Sequence, residues 1–90
     1  MATQFLQDFG LAVRQLRESR GWSQEQLAEH AALNRSYIGE VERGQVSASL
    51  ITVHKLADAL RLRPTQLIAH CETIDQQRSA SHARLMALAG

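Results

Sequence analysis

The sequence predicts an all-α fold of five helices followed by a short C-terminal tail, on three observations. Apolar residues recur at spacings of three and four along successive short segments. A hydroxyl or amide residue stands where most of those segments would begin. Strand signals are scarce, and only four residues are aromatic: Phe5, Phe9, Trp22 and Tyr37. Leu, Ala, Val and Ile dominate the 44% apolar fraction, so the expected core is aliphatic helix packed on helix. Ninety residues suffice for one modest core. One domain is therefore expected over residues 1–71, with a tail at 72–90 that is flexible, helical or part of a dimer interface.

The first segment, Gln4 to Arg20, sets Phe5, Phe9, Val13 and Leu16 on one face, with Thr3 as its N-cap. Arg14, Arg17 and Arg20 crowd its second half, where cations meet the negative end of the helix dipole, and Gly21 offers a left-handed stop. Ser23-Gln24-Glu25-Gln26 reads as a capping box opening a second helix, which turns Leu27, Ala28 and Ala31 inward. That helix is short, because Ala32-Leu33-Asn34 breaks the period and Asn34 is a good new cap. In the third helix Tyr37, Ile38 and Val41 are the larger apolar positions, while Arg35, Ser36, Gly39 and Glu40 fall opposite; Gly44 ends it.

After a polar loop, Gln45 to Ala48, Ser49 caps a fourth helix with Leu50, Val53, Leu56, Ala57 and Leu60 on one face. Pro64 opens a brief fifth helix that points Leu67 and Ile68 to the core, and the domain is expected to close near His70. Residues Glu72 to Ala80 are polar without a clear period, and Ser81 to Ala89 holds one or two amphipathic turns with Leu85, Met86 and Leu88.

Ten basic residues against nine acidic ones leave a net charge of +1, so bulk electrostatics announces no nucleic-acid partner. Placement has to carry that argument. Nine of the ten basic residues are Arg, whose planar fork matches guanine edges and phosphates where Lys acts as a point charge. The single cysteine, Cys71, cannot form an intramolecular disulfide, and no apolar run is long enough to span a membrane; a reducing cytoplasm is the expected compartment. His30, His54, His70 and His82 show no metal-ligand spacing, so no metal or cofactor is expected and they read as surface or edge residues. A chain this small and helical offers no evident catalytic pocket and reads as a non-enzyme.

Two short helices joined by a tight turn, the second polar outside and flanked by Arg, can lay a helix in a major groove, though many helical bundles contain such a pair. The residues narrow this: Phe9-Gly10, Val13-Arg14-Gln15-Leu16-Arg17, Gly21-Trp22-Ser23-Gln24-Glu25-Gln26-Leu27-Ala28 and Tyr37-Ile38-Gly39-Glu40-Val41-Glu42-Arg43-Gly44, with Thr52, Leu56-Ala57 and Ala59-Leu60 beyond. Together they resemble the phage-repressor and Cro helix-turn-helix family from about Phe9 to Ile68, which implies a lambda-repressor-like domain and sequence-specific binding of double-stranded DNA. The length also resembles the short controller proteins of restriction-modification systems, which act as homodimers.

The resemblance implies base reading by Arg35 and Ser36, with Gly39 or Glu40 one turn later, and a guanine contact by Arg35 worth about 1–3 kcal/mol if bidentate. It puts Ser23, Gln24, Asn34, Tyr37, Arg43, Gly44, Gln45, Ser47 and Ser49 against the DNA backbone, with Tyr37 alternatively on a thymine methyl or at the core edge. Glu40 is left with three readings: accepting from cytosine N4, bracing Arg35, or facing solvent. Arg17 and Glu42 match an internal ion pair between the first and third helices, and Trp22 reads as a core lid. Two positions depart from the family: Ala32 stands where the turn usually has Gly, and Ala48 where the loop usually has Pro. A homodimer on a two-fold operator is expected through the exposed apolar residues of the fifth helix and tail, with Leu67, Ile68 and Leu85 as contributors. The alternative is an antitoxin-like protein whose tail binds a partner protein.

Overall fold

In the computed structural model, which describes residues 2–89, five helices follow in order: α1 (Ala2–Ser19), α2 (Gln24–Ala31), α3 (Arg35–Glu42), α4 (Leu50–Ala59) and α5 (Pro64–Ala89). No strand occurs among the described residues. Side-chain caps start three of the helices. The Ser23 hydroxyl accepts from the Gln26 N–H at 3.1 Å while the Gln26 side-chain oxygen Oε1 accepts from the Ser23 N–H at 2.8 Å, a complete capping box. Asn34 accepts from the Ser36 N–H at 2.8 Å, and Ser49 accepts from the Thr52 N–H at 3.1 Å. Thr3 lies inside the first turn of α1 rather than capping it.

The first four helices end by one device, a left-handed residue flanked by a six-to-one and a five-to-two hydrogen bond. Its left-handed residues are Gly21, Ala32, Gly44 and Arg61, with φ of 70°, 54°, 71° and 58°. At α1, for example, the Trp22 N–H donates to the Arg17 carbonyl and the Gly21 N–H to that of Glu18; at α4, Leu62 donates to Ala57 and Arg61 to Asp58. Ala32 therefore adopts the strained conformation that its place in the turn demands, and Arg61 does the same at a position where the sequence carries no glycine signal.

Val13, Leu27, Ile38, Val41, Leu56, Leu67 and Cys71 are fully buried and draw one core from all five helices. Trp22 is half-buried at its edge, stacked on the His30 ring at 4.2 Å between centroids, with the Arg20 guanidinium 5.2 Å from its own ring centre. Gly10 sets the crossing of α1 over the end of α3. A Cβ there would stand 2.3 Å from the Val41 carbonyl oxygen and 2.6 Å from that of Glu42, so the two backbones touch where the side chain is missing.

The fifth helix is not brief. It runs to Ala89, and it continues past His70 because the stripe of Leu67 extends at helical spacing to Cys71 and Ile74, all buried, while the polar residues between them form the solvent face. Two polar clamps hold this stretch on α1. His70 Nε2 shares a hydrogen bond with Gln15 Oε1 at 2.9 Å, and the Arg78 guanidinium pairs with both carboxylate oxygens of buried Asp8, which also accepts from Gln4 at 3.1 Å. The Arg78 hydrogen bonds hold the Asp8 carboxyl below the usual carboxylate range against the opposing effect of burial. Residues 79–89 continue as an exposed helix past this clamp.

Leu67, expected at a dimer interface, is instead fully buried, because it is the first residue of the stripe that α5 turns to the core. Ile68 is half-buried at the surface and Leu85 is exposed.

Candidate nucleic-acid interface

Helix α3 has eight residues, and its inward face is set by Ile38 and Val41, so its other face is left to solvent. There Arg35, Ser36, Gly39, Glu40 and Arg43, joined by Gln24 from the first turn of α2, line a shallow groove of about 310 Å³. Six of the residues singled out in the sequence thus converge on one surface. Arg35, Ser36 and Arg43 are exposed, and Glu40 is half-exposed. Among the described residues Glu40 makes no ion pair with Arg35.

Gly39 needs correction as a reader of bases, since it is buried. The Arg43 guanidinium folds back one turn along α3 and lies over it, its Nη1 standing 3.0 Å from where a Gly39 Cβ would be. The missing side chain makes room for that arginine, whose Nε also donates to Gln45 Oε1 at 3.2 Å.

The remaining expected backbone contacts sit around the groove. Ser23, Asn34 and Arg35 line a neighbouring depression of about 510 Å³ at the turn between α2 and α3. The oxygens of Ser23 and Asn34 are taken by their caps. Tyr37 is half-buried and turns towards α4, its hydroxyl donating to Thr52 Oγ1 at 3.3 Å. Ser49 donates to the same Thr52 oxygen at 3.1 Å. Gly44 packs on Gln7 of α1, and Gln45 and Ser47 are exposed in the loop.

Arg17 and Glu42 form a bidentate pair, Nε to Oε2 at 2.7 Å and Nη2 to Oε1 at 3.0 Å. The Glu42 carboxylate raises the Arg17 pKa further above its ordinary range, and the third guanidinium nitrogen donates to the Trp22 carbonyl at 2.8 Å. The same Glu42 Oε1 accepts from Gln24 Nε2 at 3.0 Å. Arg14, which the sequence presents only as a cation near a helix end, stands with Gln24 and Arg43 around an adjoining depression of about 290 Å³. Neither that grouping nor the Gln24–Glu42 bond has a local signal, because the partners lie on different helices.

An arginine-bearing polar helix face, presented by a tight turn and rimmed by the start of the preceding helix, is the arrangement of a helix-turn-helix. The chain belongs to the helix-turn-helix family of DNA-binding transcriptional regulators: the family model described as "Helix-turn-helix domain" matches residues 8–71. It is similar to Control protein C.BamHI of Bacillus amyloliquefaciens, 41% identical across 71% of this chain and 86% of that one. It is also similar to the solved restriction-modification controller protein C.AhdI from Aeromonas hydrophila, with 50% identity, a TM-score of 0.67, and coverage of 69% of this chain and 94% of that one. The clp gene regulator ClgR from Corynebacterium glutamicum, at 21% identity, shares the fold across 93% of this chain and 89% of its own with a TM-score of 0.84. No helix among the described residues is long and apolar enough to cross a membrane.

Proposed function

We propose that this protein is a sequence-specific transcriptional regulator that binds a two-fold operator as a homodimer, with α3 in the major groove. The observation that carries this reading is the groove in which Gln24, Arg35, Ser36, Glu40 and Arg43 meet. Arg35 and Ser36 at the start of α3 read base edges with Glu40. Gln24 and Arg43 hold phosphates, with the exposed Gln45 and Ser47 of the following loop along the backbone. Similarity to control proteins supports a role in controlling transcription, in the cytoplasm and without catalysis.

One copy covers one half-site, and a second copy on a two-fold operator doubles the contacts. The proposed dimer face differs from the sequence expectation by leaving out Leu67 and Leu85 and keeping Ile68. A small apolar notch of about 60 Å³ between Phe5, Leu6, Phe9, Ala48, Val53 and Ile68 opens to the surface. Phe5 at that notch, and Leu50 and Ile51 in the first turn of α4, are exposed by 48%, 88% and 70%. An Ile51→Asp variant is expected to be monomeric in light scattering at micromolar concentration; a monomeric parent protein sinks the dimer.

Selection from random duplexes, followed by mobility shifts, tests the reading. Arg35→Ala should relax preference at one base pair by about 1–3 kcal/mol. Arg43→Ala should weaken all sequences alike and reduce the salt slope by about one. Equal effects of both variants on selected and random DNA refute the division of roles. A second reading rests on the exposed Leu85, Met86 and Leu88 of the projecting helix, which suit a partner protein. Protection of that helix from protease by the product of an adjacent small gene, and not by self-association, favours it.

A further inference from the structure

We infer that Glu42 is a positioning residue for DNA binding: its buried carboxylate fixes the Gln24 side-chain amide in the orientation that meets the DNA. The inference rests on the reading above, in which Gln24 touches the DNA.

The Glu42 side chain is 3% exposed and is held in the plane of the Arg17 fork by two bonds. Arg17 is in turn fixed by the Trp22 carbonyl, and the end of α3 by its backbone contact with Gly10. The carboxylate therefore has no freedom of its own. An ionised carboxylate only accepts hydrogen bonds, so the Gln24 amide has to turn its NH2 group to Glu42 Oε1, at 3.0 Å. The opposite flip sets carbonyl oxygen against carboxylate and is repulsive. One bond thus decides the flip of a side chain that lines the reading groove and leaves its second N–H and its carbonyl for the DNA. A glutamine free at a surface has to be ordered on binding, and this one is ordered beforehand. The Arg17–Glu42 pair accordingly serves the interface as well as the core.

A double-mutant cycle on the selected operator tests this, using parent, Gln24→Ala, Glu42→Gln and the double variant. Binding is measured at low temperature, where circular dichroism establishes that each variant is folded. Gln24→Ala is expected to weaken binding about tenfold, the scale of one hydrogen bond to a charged group. Glu42→Gln should weaken it comparably, and Gln24→Ala added to Glu42→Gln should then change affinity by less than about twofold. Multiplicative effects in the double variant overturn the inference, since they assign Glu42 to the fold alone. If Gln24→Ala binds like the parent while Arg35→Ala is weakened, the inference fails and the DNA-binding reading stands; if no duplex is selected at all, both fail. A measurement on the parent protein covers the case in which Glu42→Gln does not fold. The Gln24 side-chain NH2 should show nitrogen relaxation close to that of the backbone, and mobility equal to that of the exposed Gln76 amide overturns the inference.

Discussion

Replacing Ala32 by glycine should stabilise this protein, against the usual rule that glycine weakens a helical domain. Ala32 is exposed and holds φ at 54° in the turn between α2 and α3. An L-residue in that region is strained by about 1–2 kcal/mol, and glycine removes the strain. The looser unfolded chain of the glycine variant takes back about 0.4–1 kcal/mol, leaving a net gain centred on about 0.8 kcal/mol. For a domain of this size the unfolding midpoint should rise by about 2–8 °C. Arg61→Gly, with φ of 58° at the end of α4, follows the same reasoning, and the two gains should add because the turns share no partner. Ala32→Val should move the midpoint the other way, since a branched side chain tolerates this backbone least. Thermal unfolding by circular dichroism and urea titration at unchanged slope provide the assay. A lower midpoint for Ala32→Gly, or equal midpoints for the glycine and valine variants, refutes the reasoning.

Gly10→Ala should cost about 3 kcal/mol or more in urea unfolding, because the new Cβ meets the Val41 backbone oxygen rather than a side chain able to move. Leu67→Ala should cost about 2–5 kcal/mol, and Leu85→Ala should stay within about 0.5 kcal/mol in the same titration of the monomer. Asp8, with its native pKa depressed chiefly by Arg78, contributes stability that is complete above the unfolded carboxylate pKa of about 4 and is lost as pH falls through the native value. Thermal unfolding across pH should show this acid limb shrink in Asp8→Asn, which is weakened at neutral pH. Burial pushes the Cys71 thiol up, so the stability it brings is whole below the unfolded pKa of about 8.5 and falls as pH rises beyond it. Cys71→Ala should flatten that alkaline slope.

The caps and stops were legible because each is local. Ser23, Asn34 and Ser49 sit where their hydroxyl or amide reaches an N–H two or three residues on, and Gly21 and Gly44 sit where a left-handed residue closes a helix. Arg61 escaped notice because nothing in its side chain favours the conformation that the α4 stop imposes on it. The length of α5 escaped for a different reason. Only Cys71 and Ile74 carry its stripe beyond Leu67, and the link that matters most, Arg78 to Asp8, joins residues seventy positions apart. The face of α3 was legible as a set, since helical spacing puts Arg35, Ser36 and Glu40 together. What each member does was not. The cover of Arg43 over Gly39 and the turn of Tyr37 towards Thr52 depend on rotamers and on a neighbouring helix.

An eight-residue helix has little stability of its own in water, so α3 exists because the rest of the domain holds it. Three contacts do so from the inward side: Ile38 and Val41 in the core, the backbone crossing at Gly10, and the Arg17–Glu42 pair. None of them uses the groove face, which leaves Arg35, Ser36 and Glu40 free to vary with little effect on folding. The exception is the rim. Gln24 is tied through Glu42 to the same pair that braces α1 against α3, so a substitution at Arg17 or Glu42 acts on stability and on the rim of the groove together. A change of operator preference should accordingly be reachable through Arg35, Ser36 and Glu40 with the fold intact, while a change at Glu42 should alter affinity for every duplex before it alters preference for any one.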